Sequence, residues 1–205
     1  MFPDLLFITF IINDICPGTT LLTFSESSII EETGECSMKK IYLAGGCFWG
    51  VEHFLSLING VISTTVGYAN SDIDSPSYED LKARRSSASE TVEVEYDEDV
   101  ISLKEILDLF FVIIDPTLID QQGHDIGHQY RTGIYYTDEK DLPVIQQALN
   151  ELSVKYSEPI QTELLPLENF TTAEDYHQDY LIKNPEGYCH IDRKMFEIAR
   201  NYRKG

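Results

Sequence analysis

The stretch Ile41-Tyr42-Leu43-Ala44-Gly45-Gly46-Cys47-Phe48-Trp49-Gly50 changes character half-way along. Residues 41–44 are an apolar run of strand type, and the glycine pair ends it. From Phe48 the apolar residues fall at helical spacing as far as Ile58, and Gly60 stops them. A strand that passes through two glycines into a helix puts Cys47 at the first turn of that helix. Free backbone N–H groups and the positive end of the helix dipole at that place lower a thiol pKa and favour the nucleophilic thiolate. The glycines add no side-chain bulk and leave a substrate room to approach the backbone. Phe48 and Trp49, the chain's single tryptophan, exposed at the helix start, would form an apolar platform beside the sulfur. On these residues alone, a buried structural cysteine in a strand-to-helix turn fits as well.

Outward from this unit the pattern alternates irregularly. Residues 61–68 read as a second strand, 70–77 as a turn-rich loop and 77–84 as a short helix. In Ser89-Glu90-Thr91-Val92-Glu93-Val94-Glu95-Tyr96 the alternation predicts a strand over 90–96. Leu103, Ile106, Leu107, Phe110, Phe111 and Ile114 follow helical spacing, with Asp115-Pro116 as the stop. A polar stretch, 115–129, leads into a strand over 130–136. An amphipathic helix follows over 142–152, with Pro143 acceptable in its first turn only. A strand over 161–167 and a helix over 172–182 complete the pattern. Without strict β-α alternation this order predicts an α+β domain, not a doubly wound sheet. No repeat, low-complexity tract or linker follows Met38, so one domain is expected over 38–205.

Residues 1–37 stand apart. They carry six acidic residues and no Lys or Arg, whereas the rest of the chain carries 29 acidic and 15 basic residues. The run Leu5-Leu6-Phe7-Ile8-Thr9-Phe10-Ile11-Ile12 is far shorter than the roughly 18 apolar residues of a membrane helix. No positive n-region or small-residue cleavage site accompanies it. The segment is read as a non-domain N-terminal extension, upstream of a start at Met38.

Among 205 residues, 35 Asp and Glu against 15 Lys and Arg leave a net charge of −20. That balance argues against nucleic acid or an anionic membrane as partner, since both are bound by clustered positive charge. Four cysteines, at 16, 36, 47 and 189, form no C-x-x-C and no zinc-type spacing. They are too sparse for a secreted disulfide scaffold and fit individual thiols in a reducing compartment, the cytoplasm.

Glu90 shares a strand face with Val92, Val94 and Tyr96. A carboxyl on that apolar side loses solvation, so its pKa rises and it can hold a proton near neutral pH, as a general acid must. A strand-end glutamate reaching water is the alternative. Tyr78 and Tyr130 are two of 12 tyrosines, any of which fits a half-buried packing role. Asp125 fits a turn cap. Cys189 lies in the turn-forming Asn184-Pro185-Glu186-Gly187-Tyr188-Cys189 and is either an unpaired surface thiol or a thiol on a segment that can move.

From Gly-Cys-Phe-Trp-Gly at 46–50 the chain resembles the A-type peptide-methionine sulfoxide reductase family. The resemblance continues in order through Gly67-Tyr68, Ser75-Pro76-Ser77-Tyr78, Ser89-Glu90, GHDIGHQYR at 123–131, AEDYHQDY at 173–180 and NPEGYC at 184–189. It spans 39–192. It implies a two-layer α/β sandwich with a mixed sheet, a ferredoxin-like core and a long irregular C-terminal segment. It implies catalytic roles for Cys47, Glu90 and Cys189, and substrate contacts from Phe48, Trp49, Tyr78, Asp125 and Tyr130. The implied activity is reduction of methionine-S-sulfoxide, free or in oxidised proteins. It would pass through a Cys47 sulfenic acid and a Cys47–Cys189 disulfide that thioredoxin reopens. No metal or organic cofactor is implied, and nothing demands more than a monomer. His177 reads as a supporting residue on a helix.

Three departures from the family pattern stand out. Residues 82–89 read KARRSSAS where the family commonly has Cys-Ser-Gly…Gly-His-Ala. Asn70-Ser71 replaces a Gly-Gly, and Ile114-Asp115-Pro116 a His-Asp-Pro. The tail after Cys189 holds no further cysteine, so a single resolving thiol is expected. Two rival readings make distinct demands. A cysteine hydrolase needs His128 or His177 beside Cys47; a redox switch needs no acid at Glu90.

Overall fold

The computed structural model of the protein describes residues 37–202. Residues 1–36 of the extension, with Cys16 and Cys36, lie outside the described residues. The first strand, β1, runs Met38–Gly45, and helix α1, Phe48–Ser56, follows directly on Cys47. Strands β2, Val61–Ala69, and β3, Ser89–Asp97, come next, with the short helix α2, Tyr78–Lys82, between them. After β3 come helix α3, Leu103–Phe110, and a small hairpin of β4, Gln121–Gln122, and β5, Asp125–Ile126. Strand β6 is Thr132–Tyr136, helix α4 Leu142–Ser153, and strands β7 and β8 are Glu163–Pro166 and Phe170–Thr172. Helices α5, Tyr180–Lys183, and α6, Met195–Asn201, follow, with an irregular stretch between them.

Six strands form one sheet in the order β7-β6-β1-β3-β2-β8. Every neighbouring pair is antiparallel except β6 and β7, so the sheet is mixed. Alternation along each strand sorts its two faces. Ile41, Leu43, Val66, Tyr68, Val92, Val94 and Ile134 turn to the side covered by Val51, Phe54 and Leu55 of α1 and Ile106, Leu107 and Phe110 of α3. Tyr42, Ala44, Ala69 and Tyr135 form a smaller cluster on the other side. Val92 pairs with Leu43 on one flank and Val66 on the other, at the middle of the sheet. Burying a Phe such as Phe54, fully enclosed here, is worth about 3–5 kcal/mol against Ala. Among the described residues no helix is long and apolar enough to cross a membrane.

Both helices flanking the central strands start on local signals. Ser77 and Asp80 form a capping box at α2, as Ser102 and Glu105 do at α3. Helix α1 has no such device, since the Cys47 side chain caps nothing.

Three elements differ from their sequence reading. Helix α3 ends at Phe110, not at Asp115-Pro116. Beyond it Val112 and Ile113 donate to carbonyls only three residues back, and Phe111, Ile113 and Ile114 are buried through tight turns. Tyr130 closes a 3-10 turn, His128–Tyr130, ahead of β6 and is not on the strand. The helix expected over 172–182 is absent. Thr172 ends β8, Asp179 takes a left-handed φ of 53°, and only Tyr180–Lys183 is helical. The polar side chains there bond other elements instead. Gln178 accepts from the Val66 N–H and donates to the Val66 carbonyl, and Glu174 accepts from the Tyr68 hydroxyl and the Tyr78 N–H.

Candidate active site

Strand β1 ends at Gly45 and the chain turns at Gly46, where φ is +86°. A side chain there would be strained by that φ, and its Cβ would come within 2.6 Å of Gln122. Gln122 cannot yield. Its amide donates to the Asp115 carbonyl at 2.7 Å and accepts from the Asp115 N–H at 2.8 Å, which fixes it under the turn. Cys47 is left as the first residue of the approach to α1, only 7% exposed.

The N–H of Phe48, first in α1 and without a local cap, donates to Glu90 Oε2 at 3.2 Å. Glu90 reaches it from β3, where it shares the helix-facing side with Val92 and Val94, and is 2% exposed. Burial pushes its carboxyl from 4.5 to about 8; the Phe48 N–H opposes the shift and the nearby Asp125 charge adds to it. At neutral pH Glu90 is therefore a protonated acid.

The Cys47 thiol moves opposite to the expectation from its helix position. Burial, and then the Glu90 charge, push it well above 9, and the backbone N–H of Trp49 only partly offsets them. Desolvation outweighs the helix terminus. A neutral Glu90 removes the second cause and leaves the larger one, burial, so at neutral pH the site holds Cys47 as a thiol beside an acid that keeps its proton.

Cys47, Phe48, Trp49, Tyr78, Glu90, Asp125, Tyr130 and Tyr188 line one cavity of about 180 Å³. Seven of the eight residues singled out in the sequence thus meet at one place. The eighth, Cys189, stands beside it: its Sγ lies 2.9 Å from the position a Cβ on Gly50 would occupy. Cys47 and Cys189 are both free thiols. Phe48, however, is buried against Tyr68 and His177 and floors the cavity instead of standing exposed. Burial and the Glu90 charge raise the phenols of Tyr78 and Tyr130, so both are neutral donors.

Several supports of the site carry no mark in local spacing. Tyr188 donates its hydroxyl to Asp125 at 2.9 Å and closes one wall; its place next to Cys189 is the only signal it offered. Trp49 donates its indole N–H to His177 Nδ1 at 3.0 Å and stacks on Tyr180 at 3.7 Å. His177 is 1% exposed and lies in a turn, not on a helix. Burial lowers its pKa, which suits a neutral acceptor. Glu52 of α1 accepts the Asp179 N–H on both oxygens, at 3.1 and 3.0 Å, and so draws Tyr180 to Trp49. The departing loop 82–89 is stitched by serines: Ser86 bonds Ser71, and Ser87 and Asp72 exchange two hydrogen bonds.

A nucleophile-type thiol, a buried acid that keeps its proton and two neutral phenols around one apolar-floored cavity define a thiol-dependent oxidoreductase of the α+β class. A model of the peptide methionine sulfoxide reductase family matches residues 39–204. The peptide methionine sulfoxide reductase MsrA of Clostridium perfringens is 59% identical over 154 residues, which cover 75% of this chain and 98% of that protein. Mxr1 from Saccharomyces cerevisiae in its reduced form superimposes with a TM-score of 0.70 at 39% identity, over 74% of this chain and 88% of that one. The same yeast protein in complex with Trx2 matches with a TM-score of 0.51 at 30% identity, over 70% of this chain and 84% of that one. This chain belongs to the peptide methionine sulfoxide reductase family.

Proposed function

We propose that the protein reduces methionine-S-sulfoxide, free or in oxidised proteins, to methionine at Cys47, with Cys189 as resolving thiol and thioredoxin as electron donor. The convergence of Cys47 and the proton-holding Glu90 on one cavity carries this reading. The substrate methyl lies against Phe48 and Trp49, and its oxygen among Tyr78, Glu90 and Tyr130, with Asp125 at the cavity wall. The Cys47 sulfur attacks the sulfoxide sulfur while Glu90 gives the oxygen a proton, and Glu90 regains the proton the thiol releases. The S–O bond at the substrate breaks, a new one forms at Cys47, and two electrons pass to the substrate sulfur. Methionine leaves and Cys47 is a sulfenic acid. Cys189 then displaces water from it to give the Cys47–Cys189 disulfide, and two thioredoxin thiols reopen that bond. The yeast complex with Trx2 supports this donor.

The same reading takes 38–205 as the reductase domain, acting as a cytoplasmic monomer in repair of oxidised proteins, without nucleic acid, membrane or bound cofactor. Residues 1–37 have no part in it. The strands β6-β1-β3-β2, with α1 after β1 and α3 after β3, are read as a two-layer, ferredoxin-like core. A cysteine hydrolase is disfavoured, because His128 is held by Asp120 at 2.9 Å and His177 by Trp49.

The test is turnover of a peptide carrying methionine-S-sulfoxide, with the R epimer alongside, by wild type, Cys47→Ser and Cys189→Ser. The S epimer alone is reduced, Cys47→Ser is inactive, and Cys189→Ser turns over with dithiothreitol but not with thioredoxin. Reduction of neither epimer by wild type would refute the reading.

A further inference from the structure

The three consecutive residues Tyr188, Cys189 and His190 straddle the start of α1. Tyr188 reaches Asp125 on β5, Cys189 lies over Gly50 and His190 over Gly46, with Nε2 3.1 Å from the position of a Gly46 Cβ. Cys47 sits between these two contacts. The His190 side chain is 4% exposed; its ring faces the Gly45 backbone carbonyl, but neither nitrogen reaches a partner at full hydrogen-bond geometry. Asp125 Oδ2 is also buried and unpartnered, and it faces His190 Nδ1 at 3.8 Å. That gap is just too long for a hydrogen bond. Buried polar groups left unmatched are costly, and a small movement that pairs them recovers that cost.

Resting on the proposed reductase activity, we infer that His190 is a positioning residue for the recycling step: it seats the Cys189 segment on the Gly45-Gly46 turn and bonds Asp125 as Cys189 moves from Gly50 to Cys47. The reduced form lacks this hydrogen bond and the disulfide-forming conformer makes it, so the bond favours the conformer in which the two sulfurs meet. His190 touches neither substrate nor reacting atoms in this role.

The experiment is a single turnover without reductant. Methionine release and thiol loss are followed separately in wild type, His190→Ala and His190→Gln, with melting temperatures recorded for all three. His190→Ala releases one methionine per chain at the wild-type rate, but its disulfide forms about 5–10-fold more slowly, the effect of one hydrogen bond. A sulfenic-acid trap labels Cys47 in that variant during the lag. His190→Gln, whose amide can still donate to Asp125, recovers most of the rate. Disulfide formation at the wild-type rate in a folded His190→Ala overturns the inference. So does equal slowing of methionine release, which would make the ring a mere support of the Cys47 turn. Wild type that releases no methionine would overturn the reductase reading itself, and this inference with it.

Discussion

Glu90 is where a single residue was legible in the sequence and its neighbour was not. Alternation along β3 placed its carboxyl among the valines, and burial then raises it to about 8. Cys47 was legible only in position. Its pKa depends on how deeply the turn is covered and on the Glu90 charge, which comes from a strand 43 residues away, and neither is visible in local spacing. Glu90→Gln separates the two effects. It cannot give a proton, so the rate of methionine release falls about 10²–10⁴-fold. It also removes the carboxylate charge beside the thiol, so the Cys47 alkylation profile against pH shifts to lower pH. A redox switch without reductase chemistry would leave methionine release unaffected because there would be none to lose, and would show only the second change.

At the scale of elements, the strand periods and the helical spacing that opens α3 were readable, because their causes are local. The segment 172–182 was not. Its spacing suits a helix, yet Glu174, His177 and Gln178 take their partners from β2, α2 and α1. Long-range bonds won over propensity, and the result is the aromatic stack of Trp49 on Tyr180. Glu52→Ala, which frees the Asp179 N–H, should loosen that stack. KM for a sulfoxide peptide rises several-fold while the rate of the chemical step changes little, checked by single-turnover kinetics across substrate concentrations. Gly50→Ala acts on the other side of α1. The added Cβ would meet Cys189 Sγ at 2.9 Å and Ile191 at 3.0 Å, so thioredoxin-dependent turnover falls more than turnover with dithiothreitol.

At the scale of the whole molecule, the sheet collects residues that lie far apart in sequence. Strand β1 delivers Cys47, β3 delivers Glu90, and the hairpin with the following 3-10 turn delivers Asp125 and Tyr130. An α+β domain was foreseeable from irregular alternation, but the order of six strands was not, since pairing between distant strands leaves no short-range mark. The buried acids also give stability a direction with pH. Burial raises Glu52 to about 7 and Glu90 to about 8, from 4.5. In that window the folded chain holds protons the unfolded chain has released. Stability is therefore greatest near the lower end and is lost as pH climbs towards 8. Thermal melts across this range should fall for wild type and fall less steeply for Glu90→Gln; parallel curves would argue against a buried, proton-holding Glu90.

The most direct test of the central claim is a count of products and thiols. Wild type is mixed with excess methionine-S-sulfoxide peptide and no reductant, and the chain is then mapped by mass spectrometry. The account predicts one methionine formed per chain and two thiols lost, with Cys47 joined to Cys189. Folded protein with a titratable Cys47 thiol that forms no methionine, or methionine formed while both thiols persist, would contradict it.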